Sequence, residues 1–291
     1  MRLLIIDGHA FAYRAFYAIR GLNSPTGQPT NAIYGFINML SKLEAQVLPT
    51  HSVVVWDGGL DEGRVEELDD YKAQRDPMPD EMEVQLDAMV EYLEAEGWAS
   101  VCDDGIEADD RIGQLTRSAE AEGFEVAIAS SDKDFLQLIN DRVKMWNPAD
   151  KSGKPMDAEA VVAKTGVRPE QIVDWLSLVG DSADNIPGVP GVGVKTAALL
   201  LNEFGSVDEL YRNLAKVSRD KLREALAAAE ADVRRNQSLV ALKLDLPGEP
   251  ELDELRRGFQ DSARLEKLFE TWGFSRMLND LREARQGALF E

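Results

Sequence analysis

The chain of 291 residues holds one cysteine, Cys102, and two histidines, His9 and His51. One thiol cannot build a disulfide framework or a thiolate zinc site. Two histidines nearly exclude multi-histidine metal centres and two-histidine ribonuclease chemistry. No run of roughly 18 apolar residues is present to span a bilayer. The opening segment, MRLLIIDGHAF, sets Asp7 inside what would be the apolar stretch of a secretory signal. We therefore expect no such signal, and a reducing, cytoplasmic setting. Positive charge is also scarce: 32 Lys and Arg face 53 Asp and Glu, a net charge of −21. Taken alone, that deficit argues against a nucleic-acid partner, because phosphate binding runs on Lys and Arg. What is present is globular, at 44% hydrophobic and 29% charged residues, enough for one large domain or two smaller ones.

The acid excess is uneven. Residues 1–184 carry a net −19 and residues 185–291 a net −2, an asymmetry that hints at divided labour.

In the first half, short apolar runs alternate with helical patterns. Arg2–Ile6 reads as a buried strand ending at Asp7, Ser52–Trp56 as a second ending at Asp57, and Glu125–Ala129 as a third. Ala32–Val47 and Asp80–Gly97 read as amphipathic helices, with others opening near Glu107 and at Asp132. This alternation predicts an α/β domain with a central, mostly parallel sheet flanked by helices. In such sheets, sites form where strands give way to loops at their carboxyl ends. Between Gly58 and Pro79 the pattern fails, leaving an acidic stretch with no clear apolar face. Beyond about residue 157 the chain turns to short helices and turns.

Five segments deliver carboxylates to the expected mouth of the sheet: Asp7; Asp57; Glu107, Asp109 and Asp110; Asp132 and Asp134; Asp181 and Asp184. Any one of them could simply cap a helix. Nine gathered together repel, and need cations to coexist. An acid-rich cluster without His or Cys selects hard ions, Mg²⁺ or Mn²⁺. Two such ions are the usual device for phosphodiester hydrolysis, so the pattern reads as a two-metal nuclease.

The segments DGHAFAYRAFYA, VVWD, YKAQR, GIEADD, SSDKDFLQL and GDSADNIPGVPGVGVKTA resemble, in order and spacing, the bacterial 5′-nucleases. These are the 5′→3′ exonuclease and flap endonuclease domain of DNA polymerase I and its stand-alone relatives. The resemblance runs from Arg2 to about residue 285. It implies a PIN-like α/β nuclease domain over 1–184, a helical arch at about 58–80, and a helical DNA-binding region over 185–291. That region would carry a helix–hairpin–helix (helix–three-turn–helix) and pack on the first domain as one unit.

The resemblance also assigns residues. One ion would be held by Asp7, Asp57, Glu107, Asp109 and Asp132, and the second near Asp134, Asp181 and Asp184, with Asp110 an inner- or outer-shell acid. Arg14, Arg64 and Lys72 match the cations that meet the scissile phosphate and the 5′ strand, where they would stabilise transition-state charge. Arg75 of YKAQR joins them on the arch. Tyr71 could stack on an unpaired base or serve in packing. Gly188, Gly191 and Gly193 would let the backbone approach a phosphate, bound by NH groups near Lys195 and Thr196. The carbonyls of Val189 and Val192 would contribute to a monovalent cation site for K⁺. Two features depart from the pattern: Trp56 stands where Phe is more frequent, and Gly63 where an aromatic is usual.

The implied activity is Mg²⁺-dependent hydrolysis of DNA at flaps, nicks and free 5′ ends by a monomer, with no membrane partner. An RNA-directed nuclease and a non-catalytic junction-binding protein are the alternatives. The sequence leaves open whether a polymerase is joined to this chain or separate from it.

Overall fold

Side-chain alternation in five short strands decides the layering. They are β1 (Arg2–Asp7), β2 (His51–Trp56), β3 (Ala99–Cys102), β4 (Glu125–Ala129) and β5 (Val143–Trp146). All pair in parallel, in the order β3-β2-β1-β4-β5. Leu3, Ile5, Val53, Val55, Val126 and Ile128 enter the core on one face of the sheet; Leu4, Ile6, Val54, Trp56, Ala127 and Ala129 enter the other. Both faces are apolar because both are covered, as parallel sheets require. The computed structural model describes residues 1–150 and 152–288. The last three residues of the region expected to run to 291 lie outside the described residues.

Helices of the first half are α1 (Gly8–Ala18), α2 (Asn31–Val47), α3 (Glu62–Glu67), α4 (Asp80–Glu96) and α5 (Ala108–Ala121). Then follow α6 (Ala158–Thr165), α7 (Ile172–Val179), α8 (Val194–Phe204), α9 (Val207–Arg212), α10 (Asp220–Ala228), α11 (Glu230–Val240), α12 (Ser262–Trp272) and α13 (Ser275–Ala288). Residues of α1, α2, α4 and α12 fill one core; residues of α5, α7, α8 and α11 fill the other. The later helices thus share an apolar core with the sheet. No helix among the described residues is long and apolar enough to cross a membrane.

Three details differ from the sequence reading. Strands β3 and β5 were not anticipated: each has four residues, and ASVC and VKMW are too short and mixed to stand out. The element expected to open as a helix at Asp132 is a 3-10 turn, Asp134–Leu138. The stretch 58–79 does have an inward face, but a mixed one: Arg64, Tyr71 and Lys72 are each 4% exposed, and Val65 and Leu68 pack with Tyr71 on the apolar core. Hydropathy cannot see a face built partly from ion pairs, which is why the sequence pattern seemed to fail there.

The hairpin is equally compact. β6 (Gly180–Asp181) pairs antiparallel with β7 (Ile186–Pro187). A Cβ on Gly188 would lie 2.0 Å from the carbonyl oxygen of Val179, so only glycine fits that crossing.

Candidate active site

Strand ends place the acids. Asp7 closes β1 and caps α1, its Oδ1 accepting from the Ala10 NH at 3.1 Å. Its Oδ2 accepts from the Ser130 hydroxyl at 2.7 Å, just beyond β4. Asp57 follows β2; its NH donates to His9 Nδ1 at 3.1 Å, and its own Oδ1 accepts from the Gly59 NH. Asp132 follows β4, and its Oδ1 accepts from the Asp134 NH at 2.9 Å. All lie at the carboxyl edge of the sheet, the expected place for a site in this architecture.

The acids feel one another. Burial raises the Asp7 carboxyl to about 6, with the charges of Asp132 and Asp57 adding to the rise and the Ser130 hydrogen bond opposing it. Asp109 is held well above the ordinary carboxylate range by burial, then by Asp132 and Asp7, with Lys72 opposing. Asp134 is raised likewise by burial, then by Asp132, Asp181 and Asp184. The group therefore runs without a break from Asp57 through Asp7, Asp132 and Asp109 to Asp134, Asp181 and Asp184. Within it, carboxylate oxygens of Asp134, Asp181 and Asp184 lie within 4.8 Å of one another. Asp134 is 7% exposed, and its buried Oδ1 has no hydrogen-bond partner. A lone carboxylate oxygen buried among acids is costly unless a cation meets it. An all-oxygen donor set suits a hard divalent ion.

Two of the nine acids are engaged elsewhere. The Arg64 guanidinium grips Asp110 with both terminal nitrogens at 2.8 Å, reaches Glu107 Oε2 at 2.5 Å, and donates to the Ala241 carbonyl. Asp110 also accepts from the Lys243 NH at 2.8 Å, so its oxygens take three N–H bonds from the protein. Glu107 receives the Tyr71 hydroxyl at 3.1 Å. Lys72 Nζ lies 3.0 Å from Glu107 Oε1, within ion-pair distance though not aligned as a hydrogen bond. Glu107 stands at the N-cap of α5 but makes no side-chain cap, so capping does not explain it. Burial opposes the Arg64 charge, and Asp110, with Tyr71 and Glu107, more than restores it, leaving the guanidinium pKa raised.

These contacts bear on two expectations. Arg64, anticipated at the scissile phosphate, is buried with its two terminal nitrogens bonded to Glu107, Asp110 and Ala241, while its Nε has no partner. Tyr71 is equally buried, its ring part of the apolar core, in keeping with the packing role that was one of its two expected uses. Lys72 lies beside Glu107 and within 4.0 Å of Asp109, held by the φ of +54° at its own Cα. Arg75 is nearly half exposed and bonds Asp184 Oδ1 at 2.8 Å. Arg14 lies exposed on α1, with no ion pair among the described residues. Ser130, Lys133, Ala241 and Lys243 were not singled out from the sequence. Ser130 and Lys133 sit inside SSDKDF, but nothing in that string says that one serves Asp7 and the other Asp181.

Arg75 also lines an open cleft of about 670 Å³ with His9, Tyr13, Tyr17, Asp57 and Leu60. It leads from the acids outward between α1 and the arch. Around the hairpin, Gly191, Gly193 and Lys195 are exposed and Thr196 is half-buried. Helix α8 begins at Val194, and Gly193 at its N-cap has no side chain to cap it, so the first NH groups are free of side-chain partners. Val189 and Val192 are buried, and the Val189 carbonyl accepts from the Val192 NH at 3.0 Å.

A parallel sheet with an acid-lined carboxyl edge, followed by a helical region carrying a glycine hairpin, defines a nuclease class. Residues 2–166 match the family model for the 5′-3′ exonuclease N-terminal resolvase-like domain, and residues 167–263 that for its C-terminal SAM fold. The chain belongs to the 5′–3′ exonuclease family. A 5′-3′ exonuclease of Aquifex aeolicus is 37% identical, with 99% of each chain covered. DNA polymerase I of Bacillus caldotenax is 39% identical over 96% of this chain, which spans only 32% of that polymerase. Among solved structures, bacteriophage T5 5′-exonuclease with bound zinc superposes with a TM-score of 0.70 at 22% identity, covering 94% of this chain and all of that one. A T5 flap endonuclease bound to DNA and metal ions gives 0.69 at 20% identity, covering 97% and 98%. At such identities these two structures bear on the fold.

Proposed function

We propose that the chain is a structure-specific 5′-nuclease that hydrolyses DNA phosphodiester bonds at 5′ flaps, nicks and free 5′ ends with two divalent ions. The observation that carries this reading is the convergence of Asp134, Asp181 and Asp184 around an unpartnered buried carboxylate oxygen, directly beside the Asp7, Asp109 and Asp132 group. The 5′-3′ exonuclease of Aquifex aeolicus, matched end to end, supports it. So does a T5 flap endonuclease of the same fold solved with DNA and metal ions.

Asp7, Asp109 and Asp132, with Asp57 beside them, would hold one ion, and Asp134, Asp181 and Asp184 the other; Mg²⁺ or Mn²⁺ fits these oxygens. Bound there, the ions would supply a strong nucleophile from water at neutral pH and would neutralise charge on the reacting oxygens. Ser130 orients Asp7. Arg64 anchors the arch on Glu107 and Asp110, which makes Asp110 a support and leaves Glu107 at the margin of the first ion's site. Lys72 and Arg75 rest on the acids and are placed to turn to the phosphates of a 5′ strand lying in the cleft, with Arg14 outside it. Duplex DNA would be held through its backbone by the free NH groups at Lys195 and Thr196, with the exposed Gly191 and Gly193 allowing close approach. The carbonyls of Val189 and Val192 would serve a K⁺ ion in that contact. We place the working unit as a cytoplasmic monomer, with the nuclease part over about 1–184 and the duplex-holding part after it. A polymerase, joined or separate, would supply its nicks and flaps.

Digestion of matched 5′-flap, nicked and blunt DNA duplexes, with Mg²⁺ and with EDTA, tests this. We expect Mg²⁺-dependent cleavage near the junction of the flap and inward from the nick and the free 5′ ends. Cutting in EDTA, or a flap left uncut in Mg²⁺, would overturn it.

A further inference from the structure

The carboxylates proposed to hold the second ion already carry protein cations. Lys133 Nζ lies 2.6 Å from Asp181 Oδ1, and Arg75 bonds Asp184 Oδ1 at 2.8 Å. Only Asp134 keeps a bare buried oxygen. The two cations differ in kind. Arg75 comes from the arch, is 45% exposed on its side chain, and faces the cleft. Lys133 stands between Asp132 and Asp134 in the chain, at the start of the 3-10 turn, on the wall of the site itself. Its backbone cannot leave the acids without dismantling them. Its side chain is one-third exposed, against 4% for Asp181, so the ammonium can swing into solvent while Asp181 stays.

We infer that Lys133 is a built-in counter-ion that occupies the Asp134–Asp181–Asp184 cluster until the second divalent ion displaces it, and so sets the concentration at which that ion binds. The inference rests on the two-ion reading above. The physical reason is charge balance. Three buried carboxylates repel one another, and a lysine ammonium relieves part of that repulsion when no metal is bound. An incoming divalent ion must share Asp181 with that ammonium or expel it, and either course costs affinity, because like charges a few ångströms apart in a partly buried site repel strongly. A flexible ammonium on a four-carbon stem can leave Asp181 while its own backbone stays in place. Lys133 acts through Asp181, so it is a positioning residue.

The test is calorimetric titration of the whole chain, free of DNA, with Mn²⁺, together with thermal denaturation in EDTA. Wild type, Lys133→Met, Lys133→Gln and Lys133→Arg are compared, with Asp134→Asn marking which binding event belongs to the cluster. We expect Lys133→Met and Lys133→Gln to bind the ion lost in Asp134→Asn about tenfold more tightly than wild type, and to melt at lower temperature in EDTA. Lys133→Arg should keep the wild-type affinity or weaken it. Unchanged or weaker binding in both neutral variants would overturn the counter-ion role while leaving the two-ion reading intact. Identical titrations for wild type and Asp134→Asn would instead remove the cluster as an ion site, and the inference with it.

Discussion

Asp7 sets burial and function against each other. Its carboxyl is raised to about 6 by burial, against an ordinary value of 3.8, and Asp109, Asp134 and Asp184 shift in the same direction. A carboxyl raised on folding prefers its proton in the folded state, so its stabilisation is present at low pH and lost as pH rises through the raised value. The metal-free protein should therefore lose thermal stability as pH rises through about 6, and saturating Mg²⁺ should flatten that slope. Melting in EDTA and in Mg²⁺ across the window checks this; a flat or opposite slope in EDTA contradicts it. Arg64 gives a second prediction at this scale. Arg64→Ala leaves Glu107 and Asp110 buried without their partner, at a cost of about 3–5 kcal/mol. Arg64→Lys should recover little, because an ammonium cannot grip both oxygens of Asp110. Chemical denaturation of the three proteins decides it, and unchanged stability with lost activity would return Arg64 to the phosphate.

Among the elements, the hairpin separates two uses of glycine. Gly188 is closed in: a Cβ there meets the Val179 carbonyl at 2.0 Å. Gly193 has no neighbour within 4 Å of a Cβ and is not in the left-handed region. Gly188→Ala should thus lower the melting temperature, while Gly193→Ala should leave it unchanged and weaken duplex DNA binding severalfold by holding a phosphate away from the α8 NH groups. Melting and binding measured on the same two variants test the assignment; intact binding in Gly193→Ala removes α8 from the interface. The same scale shows what the sequence could reveal. β1, β2 and β4 were legible as apolar runs ending in acids, and α4 by the glycine that closes it. β3 and β5 were not, since edge strands of four residues owe their pairing to neighbours. The arch was hard to read for a related reason: its inward face mixes Val65, Leu68 and Tyr71 with the ion-paired Arg64 and Lys72, and such a mix leaves no clear hydrophobic period. Most acids of the candidate site were legible because they follow a strand or stand at a helix start; which of them pair with protein cations was not, because that depends on where Arg64 and Lys133 reach.

At the scale of the molecule, the net charge of −21 no longer weighs against DNA. Nine of the acids gather at the sheet edge, and the segment from Asn185 to Arg223 carries six bases against four acids. On the two-ion proposal, binding would rely on divalent ions, a few placed cations and backbone NH groups. The most direct test of the two-ion account is single-turnover cleavage of a 5′-flap duplex across a Mg²⁺ titration, for wild type and Asp134→Asn. The account predicts no cleavage without Mg²⁺, a rate rising more steeply than first order in Mg²⁺, and a loss of at least about 100-fold in Asp134→Asn. Cleavage in EDTA, or an Asp134→Asn enzyme as fast as wild type, would contradict it.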